Sequence, residues 1–360
     1  MTDLLSIEGT TESVSDWYYK EGWTDGLPIV APTEEAVARF LAHTDRPDDE
    51  VIATIAPTNA EATVYLIAAN AVMAGCLPEY FPVVLTAVRA LAQAEYNLLA
   101  VQTTTNPITP LYLVNGPAAR DLGFNGGADC LGPGVRANAT VGRALRLCLV
   151  NIGGARPGPI DKSTQGQPGK YTLCFAENEA ESPWEPYHVE RGLDPAASAV
   201  SVFGVTGTQA IVDLSSKSAL GVLKTIANSC AHVGSGSMLY GGGALLILCP
   251  EHAHMIADAG FTKREVAEFL YEHSRVRVSE FPPDVYEGVV RRRRPRRYYS
   301  HDADSTVPLA DGPDDIRIVV AGGPGPHSTY CSGASEAIVP VTEAIQPADG
   351  AIVAKAGPEA

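Results

Sequence analysis

The chain has 360 residues and a formal net charge of −16 at pH 7. This charge disfavours non-specific binding to nucleic acids or to anionic membranes, because both reward a basic protein surface. Hydrophobic residues make up 45% and charged residues 19%, a balance that predicts a folded globular protein, and the length is typical of about two domains.

The first half of the chain predicts strands that alternate with helices. Thr33 caps a helix after a Gly-Pro turn, and a glycine-rich turn at 125–134 precedes another helix. The predicted strands cover 29–31, 50–57 and 111–116, and the further predicted helices cover 59–75, 81–99 and 137–150. The longest apolar region, 63–88, is interrupted by polar residues and prolines, so we predict no membrane span.

The second half continues this alternation. Predicted strands cover 198–205, 209–215, 242–250, 315–323 and 337–341, and predicted helices cover 217–231, 250–260 and 262–273. The last helix begins at a capping box formed by Thr262 and Glu265. We predict an α/β fold with mixed or parallel sheets flanked by helices, divided into a flexible N-terminus at 1–20, a first region at 21–195 and a second at 196–354.

The N-terminal sequence and the cysteines predict a cytoplasmic protein. Residues 1–20 lack the basic start and the apolar core of a secretory signal. The seven cysteines lie at least eighteen positions apart, so there is no CxxC pair, and we expect reduced thiols in a reducing compartment.

The segment 151–191 places many reactive side chains among glycines and prolines, which is typical of an active-site loop on a rigid scaffold. From it we predict Lys170, Glu177 and His188 as proton-transfer groups and Trp184 as a substrate contact. The alternative is an ordered surface crossover whose charges pair with one another.

Cys76 and Glu79 lie three residues apart between two predicted helices. A thiol beside a carboxylate predicts a nucleophile with its acid or base, provided that a third group lowers the pKa of the thiol. The alternative for Cys76 is a buried thiol that fills space.

A Gly-Pro-Gly turn leads into a predicted helix that carries Arg136, Asn138 and Arg143. Free backbone N–H groups at a helix start and arginine side chains both favour an anion, so we predict that these residues bind a negative group of the substrate. A glycine-capped helix whose arginines pair with the acidic surface is the alternative. The chain has neither a P-loop nor a dinucleotide fingerprint, which favours lyase or hydrolase chemistry over hydride transfer.

The turn that follows the predicted strand 315–323 leads to His327 and Ser328. We predict His327 as a general base or metal ligand and Ser328 as a substrate contact, because sites gather beyond the carboxyl ends of strands. No cofactor is assigned by the sequence; a divalent metal is the alternative, held by a set that draws on Cys174, Glu177, His188 and His327. His252 and His254 are two positions apart on a predicted helix, which makes them poor joint ligands.

Several long motifs resemble a family of bacterial proteins of poorly defined function. They are WTDGLPIVAPT, ANAVMAGCLPEYFPVV, GPGVRANATVGRALRL, DKSTQGQPGKY, AENEAESPWEPYHVERG, PEHAHMIADAGFTK and VVAGGPGPHS, and they cover roughly residues 22–330. In some members a similar region is followed by a short domain with the UGSC motif, selenocysteine or cysteine followed by Gly-Ser-Cys. The resemblance implies a cytoplasmic, enzyme-like protein that is sometimes linked with thiol or selenol chemistry. This chain lacks the UGSC segment, since Cys331-Ser332-Gly333 has a different order.

Together these patterns predict a cytosolic enzyme that acts on a small polar or anionic organic molecule by acid–base or thiol chemistry. The alternatives are a metal-dependent enzyme and a non-catalytic small-molecule binding or assembly protein. We also expect a homo-oligomer and neither nucleic acid nor membrane as a partner, and we interpret the arginine run at 291–297 as a solvated loop or a subunit contact.

Overall fold

The computed structural model describes residues 7, 9–298, 300 and 302–351, and the prediction of a flexible segment at 1–6 lies outside this part of the chain. The fold is α/β, as the sequence predicts: a mixed sheet of seven strands is flanked by helices. The strands are β1 Val51–Ile55, β2 Ala60–Thr63, β3 Thr109–Asn115, β4 Cys174–Ala176, β5 Ala199–Val212, β6 Ala244–Leu248, β7 Arg275–Arg277, β8 Thr306–Pro308, β9 Ile316–Val320, β10 His327–Gly333 and β11 Val341–Ala344.

The helices vary from single turns to the four turns of α7. They are α1 Thr11–Lys20, α2 Glu34–Leu41, α3 Val64–Ala74, α4 Phe81–Leu91, α5 Leu98–Gln102, α6 Pro117–Asp121, α7 Arg136–Asn151, α8 Tyr187–Glu190, α9 Ala219–Cys230, α10 Gly236–Tyr240, α11 Pro250–Asp258, α12 Lys263–His273, α13 Pro283–Val285 and α14 Arg291–Arg293. Among the described residues, no helix has both the length and the apolar character needed to cross a lipid bilayer.

The large sheet contains two β-α-β-β units of the same topology. Its strand order is β4-β3-β5-β10-β6-β9, with β11 also paired to β5. In the first unit, β3 leads through α7 to the parallel strand β4, and β5 returns antiparallel to β3. In the second unit, β6 leads through a crossover that includes α12 to the parallel strand β9, and β10 returns antiparallel to β6. The units meet where β5 pairs with β10, so both predicted regions contribute to one sheet.

The sheet curls until the carboxyl ends of its edge strands meet. The backbone N–H of Asn178, just after β4, donates to the carbonyl of Val320 at the end of β9 over 2.8 Å. Nearby, the N–H of Gly322 donates to the carbonyl of Gly126, also over 2.8 Å. The loops that follow β4 and β9 therefore lie side by side, and polar side chains collect there.

Helices α3, α4 and α7 cover the first unit, and α9, α11 and α12 cover the second. Helix α4 is buried around most of its circumference, as its apolar sequence predicts. Helix α7 passes close to the residues that precede β4. A Cβ at Gly142 would overlap Thr172 Oγ1 and lie 3.0 Å from Leu173 N. Only glycine allows this approach.

Several elements differ from their prediction for identifiable physical reasons. The predicted helix 59–75 begins as β2, because Ala60–Thr63 pairs with β1 in a hairpin. The predicted helix 81–99 stops at Leu91, and the chain turns at Asn97, whose φ is +52°. Strands predicted at 198–205 and 209–215 are one strand, since the residues between them lie within the continuous span of β5.

Other differences concern elements that the sequence pattern did not reveal. Strand β10 follows the predicted glycine turn in a segment for which we predicted no element, because both of its edges find partners in β5 and β6. Residues 11–20, predicted to be flexible, form α1, capped by Thr10 and packed through the edge contact of Trp17 with Trp23. The predicted strand 29–31 is a loop, although Val30 N still donates to Met73 O.

The arginine run is partly internal. Arg294 is buried and donates to the carbonyls of Ser237, Met238 and Pro308, which ties three segments together. Arg291 pairs with Glu287 one helical turn earlier. These contacts give Arg294 a structural role that the sequence pattern did not indicate.

Candidate active site

The structure separates the three predicted proton-transfer groups. Lys170 precedes β4, whereas Glu177 and His188 follow it, so they lie beyond opposite ends of a strand. Lys170 Nζ donates to Asp161 Oδ2 over 2.6 Å, and burial lowers the pKa of Lys170 below its ordinary value although Asp161 opposes this. The prediction that one site contains all three groups is therefore wrong.

Glu177 lies in a buried polar network at the meeting point of the edge strands. Its Oε2 accepts from Asn115 Nδ2 and from the backbone N–H of Tyr187, each over 2.7 Å. Lys263 Nζ lies 3.6 Å from its Oε1. Burial raises the pKa of Glu177, while Lys263 and the two donors oppose the shift. Glu177 is therefore protonated more readily in the folded protein than a glutamate side chain in water is.

Polar atoms without a hydrogen-bond partner concentrate in this network. Within the described part of the chain, Glu177 Oε1, Asn115 Oδ1 and both ring nitrogens of His188 are buried and lack one. The nearest carboxylate to His188 is that of Glu179, 3.9 Å from Nδ1, and it is already occupied by Asn115 and Gly116 N. Buried polar atoms without partners are rare and costly, so such a group points to a functional site.

A cleft of about 680 Å³, here called the Lys263 cleft, opens on the outer side of this network. It is lined by Trp184, Glu190, Arg191, Lys263, Arg264 and Arg317, among others. Lys263 links the cleft to the interior, because its Nζ lies 3.4 Å from Glu190 Oε2 and donates to the carbonyl of Glu185 over 2.9 Å. Trp184, a predicted substrate contact, lines the cleft while its indole N–H donates to Phe261 O. His188 is fully buried and does not reach it.

Two arginines line the Lys263 cleft, and each already lies near a carboxylate: Arg191 Nη2 is 3.7 Å from Glu190 Oε1 and Arg317 Nη1 is 3.7 Å from Asp315 Oδ1. The guanidinium of Arg191 lies 5.5 Å from the ring centre of Tyr187, whose burial raises its pKa to about 12. Arg317 Nε is buried and, among the described residues, has no hydrogen-bond partner. Guanidinium groups bind carboxylates in a two-pronged geometry, so Arg191 and Arg317 suit a substrate carboxylate.

The predicted nucleophile Cys76 is unsuited to that role. Burial raises the pKa of its thiol to about 12, although Thr140 and Arg136 oppose this, so the thiol stays protonated at neutral pH. Glu79 lies half-buried in a short 3₁₀ turn. The structure supports the alternative in which Cys76 fills space in the core.

The predicted anion-binding residues of α7 have structural partners instead. Asn138 Oδ1 accepts from Asn125 N, and its amide donates to Asn125 O and Cys130 O, which uses the side chain fully. Arg143 forms two bonds of 2.7 and 2.9 Å with Asp25. Arg136 Nε donates to the carbonyl of Gly75. These contacts hold loops against α7.

The predicted metal ligands do not converge. Cys174 is buried within β4, and His327 is exposed at the start of β10, where it lines a separate cavity of about 370 Å³. Among the described residues, no group of three His, Cys, Asp or Glu side chains is placed to hold a metal ion. The proposed ligand set of Cys174, Glu177, His188 and His327 is therefore wrong.

Ser328 belongs to a cluster that sequence reasoning missed. Its Oγ lies 2.8 Å from His252 Nδ1 and donates to Cys249 Sγ over 3.6 Å. Burial alone would raise the pKa of Cys249, but hydrogen bonding from His252 outweighs it and the pKa is lowered. Cys249 is the N-cap of α11 and His252 its third residue. The sequence Cys-Pro-Glu-His after a buried strand was the available signal.

No family model, curated protein or solved structure matches the chain. The resemblance to the UGSC-associated family therefore stays a prediction.

Proposed function

We propose that the chain is an enzyme of the lyase or hydrolase type that acts on a small organic anion in the Lys263 cleft by acid–base chemistry. One observation carries the proposal: a buried carboxylate with a free oxygen, Glu177, lies 3.6 Å behind a lysine that lines an open cleft. A perturbed titratable group at the base of a cleft is a common property of catalytic sites.

Substrate binding would depend on the arginines of the cleft. Arg191 and Arg317 would hold a carboxylate, and the apolar face of Trp184 would contact the carbon skeleton. This would place the reacting carbon over the adjacent Lys263 and Glu190 side chains.

Each side chain at the base of the cleft has a distinct role in the proposed proton transfers. The carboxylate of Glu190 would take a proton from the substrate or from an attacking water. The ammonium of Lys263 would donate a proton to the leaving group, and the Glu177 carboxylate behind it would favour the ammonium form. The neutral amine then takes a proton from solvent in the cleft while Glu190 releases its proton to solvent, so the cycle balances.

The proposal is tested by incubating small carboxylic, hydroxy and dicarboxylic acids and their amides with the protein in D₂O. Proton NMR follows both product formation and exchange of C–H for deuterium. We expect turnover of at least one acid, lowered about 100-fold or more in Lys263→Gln and Glu190→Gln, the range for loss of a general acid or base. Lys224→Gln, an exposed lysine on α9, is the matched control and should keep the full rate.

Two outcomes would contradict the proposal. Turnover that persists within about twofold in Lys263→Gln would remove the cleft from the chemistry. Tight retention of an acid with no conversion would favour the alternative of a non-catalytic binding protein. We also expect a cytoplasmic location and a homo-oligomeric state.

A second candidate function rests on the cluster of Cys249, His252 and Ser328. The cluster is buried, and Ser328 Oγ contacts both the imidazole of His252 and the thiol of Cys249. A thiol at a helix N-terminus beside an imidazole is the arrangement that activates cysteine nucleophiles. The thiolate would attack an electrophilic carbon, and protonated His252 would donate its proton to the leaving group. The thiol mechanism predicted for Cys76 would thus transfer to Cys249.

A further inference from the structure

A second and larger cavity, here called the basic cavity, lies at the opposite end of β4 from the Lys263 cleft. Its volume is about 1160 Å³, and it is formed by the segment 19–26, by α7 and by the loop 156–171. The charged and aromatic side chains that line it include Tyr19, Arg146, Arg156, Lys162, Lys170 and Tyr171. The proposed acid–base reaction uses none of them.

The inner wall of the basic cavity carries more positive than negative charge. Asp161 Oδ2 accepts from both Arg146 over 3.1 Å and Lys170 over 2.6 Å, so one carboxylate serves two cations. Its other oxygen accepts from Ser163 Oγ. The remaining carboxylate in the lining, Asp25, is already neutralised by Arg143.

The rim adds two exposed cations, Arg156 and Lys162, neither of which forms an ion pair with a described residue. With Arg146 and Lys170 against Asp161, the cavity holds three uncompensated positive charges. In a chain with a formal net charge of −16, such a concentration creates a local field that attracts an anion of several charges.

Two aromatic rings face the same cavity. Tyr19 is 62% exposed and Tyr171 is 49% exposed, which is unusual for such large apolar side chains. Exposed tyrosines beside cations offer a face on which a flat ring can stack. The lining also supplies hydroxyl and amide groups from Thr24, Ser163 and Gln165.

We propose that the basic cavity binds an organic phosphate that carries a flat ring, a ligand of the nucleotide class. Three uncompensated charges suit a di- or triphosphate better than a single carboxylate, and the volume exceeds what a small acid needs. Because the chain has no P-loop or dinucleotide fingerprint, recognition would depend on side-chain cations.

The test is isothermal titration calorimetry of the full-length protein with ADP, pyrophosphate and adenosine. ADP should bind most tightly, pyrophosphate more weakly and adenosine weakest. Arg156→Gln/Lys162→Gln should weaken ADP binding about tenfold or more, since phosphate contacts are charge-assisted. Tyr171→Leu should weaken ADP without changing pyrophosphate. Arg156 and Lys162 are both exposed and form no ion pair within the described part of the chain, so the double variant should fold.

Controls separate this site from the cleft. Arg277→Gln and Lys224→Gln, exposed cations outside both cavities, should bind ADP like the unmodified chain, and so should Arg264→Gln, an exposed position that lines the cleft. ADP affinity that is unchanged in the Arg156/Lys162 double variant would overturn the proposal. Affinity lost only in Arg264→Gln would also overturn it, because the nucleotide would then occupy the cleft. Equal binding of pyrophosphate and ADP would exclude the ring contact.

Discussion

The two β-α-β-β units have the same topology but carry different chemistry where their parallel strands end. The last parallel pair is Val114 with Ala176 in the first unit and Leu248 with Val320 in the second. One residue beyond, the first unit has Asn115 and Glu177, whereas the second has Cys249 and Ala321.

This difference shows that the backbone creates equivalent places and the side chains decide what each can do. Glu177 brings a charge into the interior, and Ala321, at the corresponding position, brings none. The compensating cation comes from Lys263 at the start of α12, which belongs to the second unit. The site of the first unit is thus completed by the second, while the Cys249 cluster draws most of its partners from its own unit.

Removing the shared cation should have the largest effect on stability. Lys263→Met leaves Glu177 buried without its counter-charge, and we expect a loss of about 3–5 kcal/mol in the free energy of unfolding at pH 8, as for other broken buried pairs. Urea denaturation measures it. The double variant Lys263→Met/Glu177→Gln should recover part of this loss; a single-variant loss below about 1 kcal/mol would show that the pair does not join the units.

The close packing of α7 in the first unit predicts a smaller effect. Gly142→Ala should cost about 1–3 kcal/mol, because the new methyl group overlaps Thr172 and approaches the backbone of Leu173. Thermal and urea unfolding measure the change. Gly207→Ala in β5 is the control, since a Cβ there meets no atom within 4 Å; equal losses in both variants would contradict the close approach.

The thiol of the second unit should be distinguishable by its reactivity. Iodoacetamide labelling followed by peptide mass spectrometry should modify Cys249 at lower pH than Cys130 or Cys331, whose burial raises their pKa values to about 11 and 12. His252→Gln should slow labelling of Cys249 about tenfold at pH 7 and move its profile to higher pH. A profile unchanged by His252→Gln would separate the thiol from the imidazole.

The smallest effect is a pair of opposite pH dependences. The pKa of Glu177 is raised in the folded protein, so the stability it contributes is present below the ordinary glutamate pKa and is lost as pH rises through the raised value. Burial alone would raise the pKa of Asp161, but the hydrogen bond from Lys170 outweighs it and the pKa is lowered. The stability that Asp161 contributes is therefore present above the ordinary aspartate pKa and is lost as the pH falls through the lowered value.

Urea denaturation across pH 3–8 measures the free energy of unfolding of Glu177→Gln, Asp161→Asn and the unmodified chain. The difference between the unmodified chain and each variant, plotted against pH, should therefore have slopes of opposite sign for the two variants. The Glu177 difference should decrease as pH rises and the Asp161 difference should increase. Slopes of the same sign would show that one of the two environments is assigned wrongly.

The sequence predicted the elements whose signals are local. The capping box at Thr262, the helix that became α7 and the buried strand that became β6 are all set by neighbouring residues. Strand β10 was missed because its stability comes from two partners distant in sequence. Tertiary pairing of this kind leaves no periodic pattern in a glycine-flanked segment.

The site was predictable to the same extent. Glu177 and Trp184 stood out because they lie in a loop rich in reactive groups, and the structure places both at or beneath the Lys263 cleft. Lys263 could not be found, because only the curl of the sheet brings α12 to the loop after β4. Lys170 and Glu177 are only seven positions apart in sequence, but β4 lies between them and separates them in space.

The curl of the large sheet also affects which of its edges another chain can pair with. An open sheet edge is a template on which another chain can add a strand, and proteins limit this by keeping edge strands short or covering them. Here the edge strands β4 and β9 have only three and five residues, and hydrogen bonds tie their ends to each other's loops. The curl of the large sheet thus limits the pairing of another chain with β4 and β9.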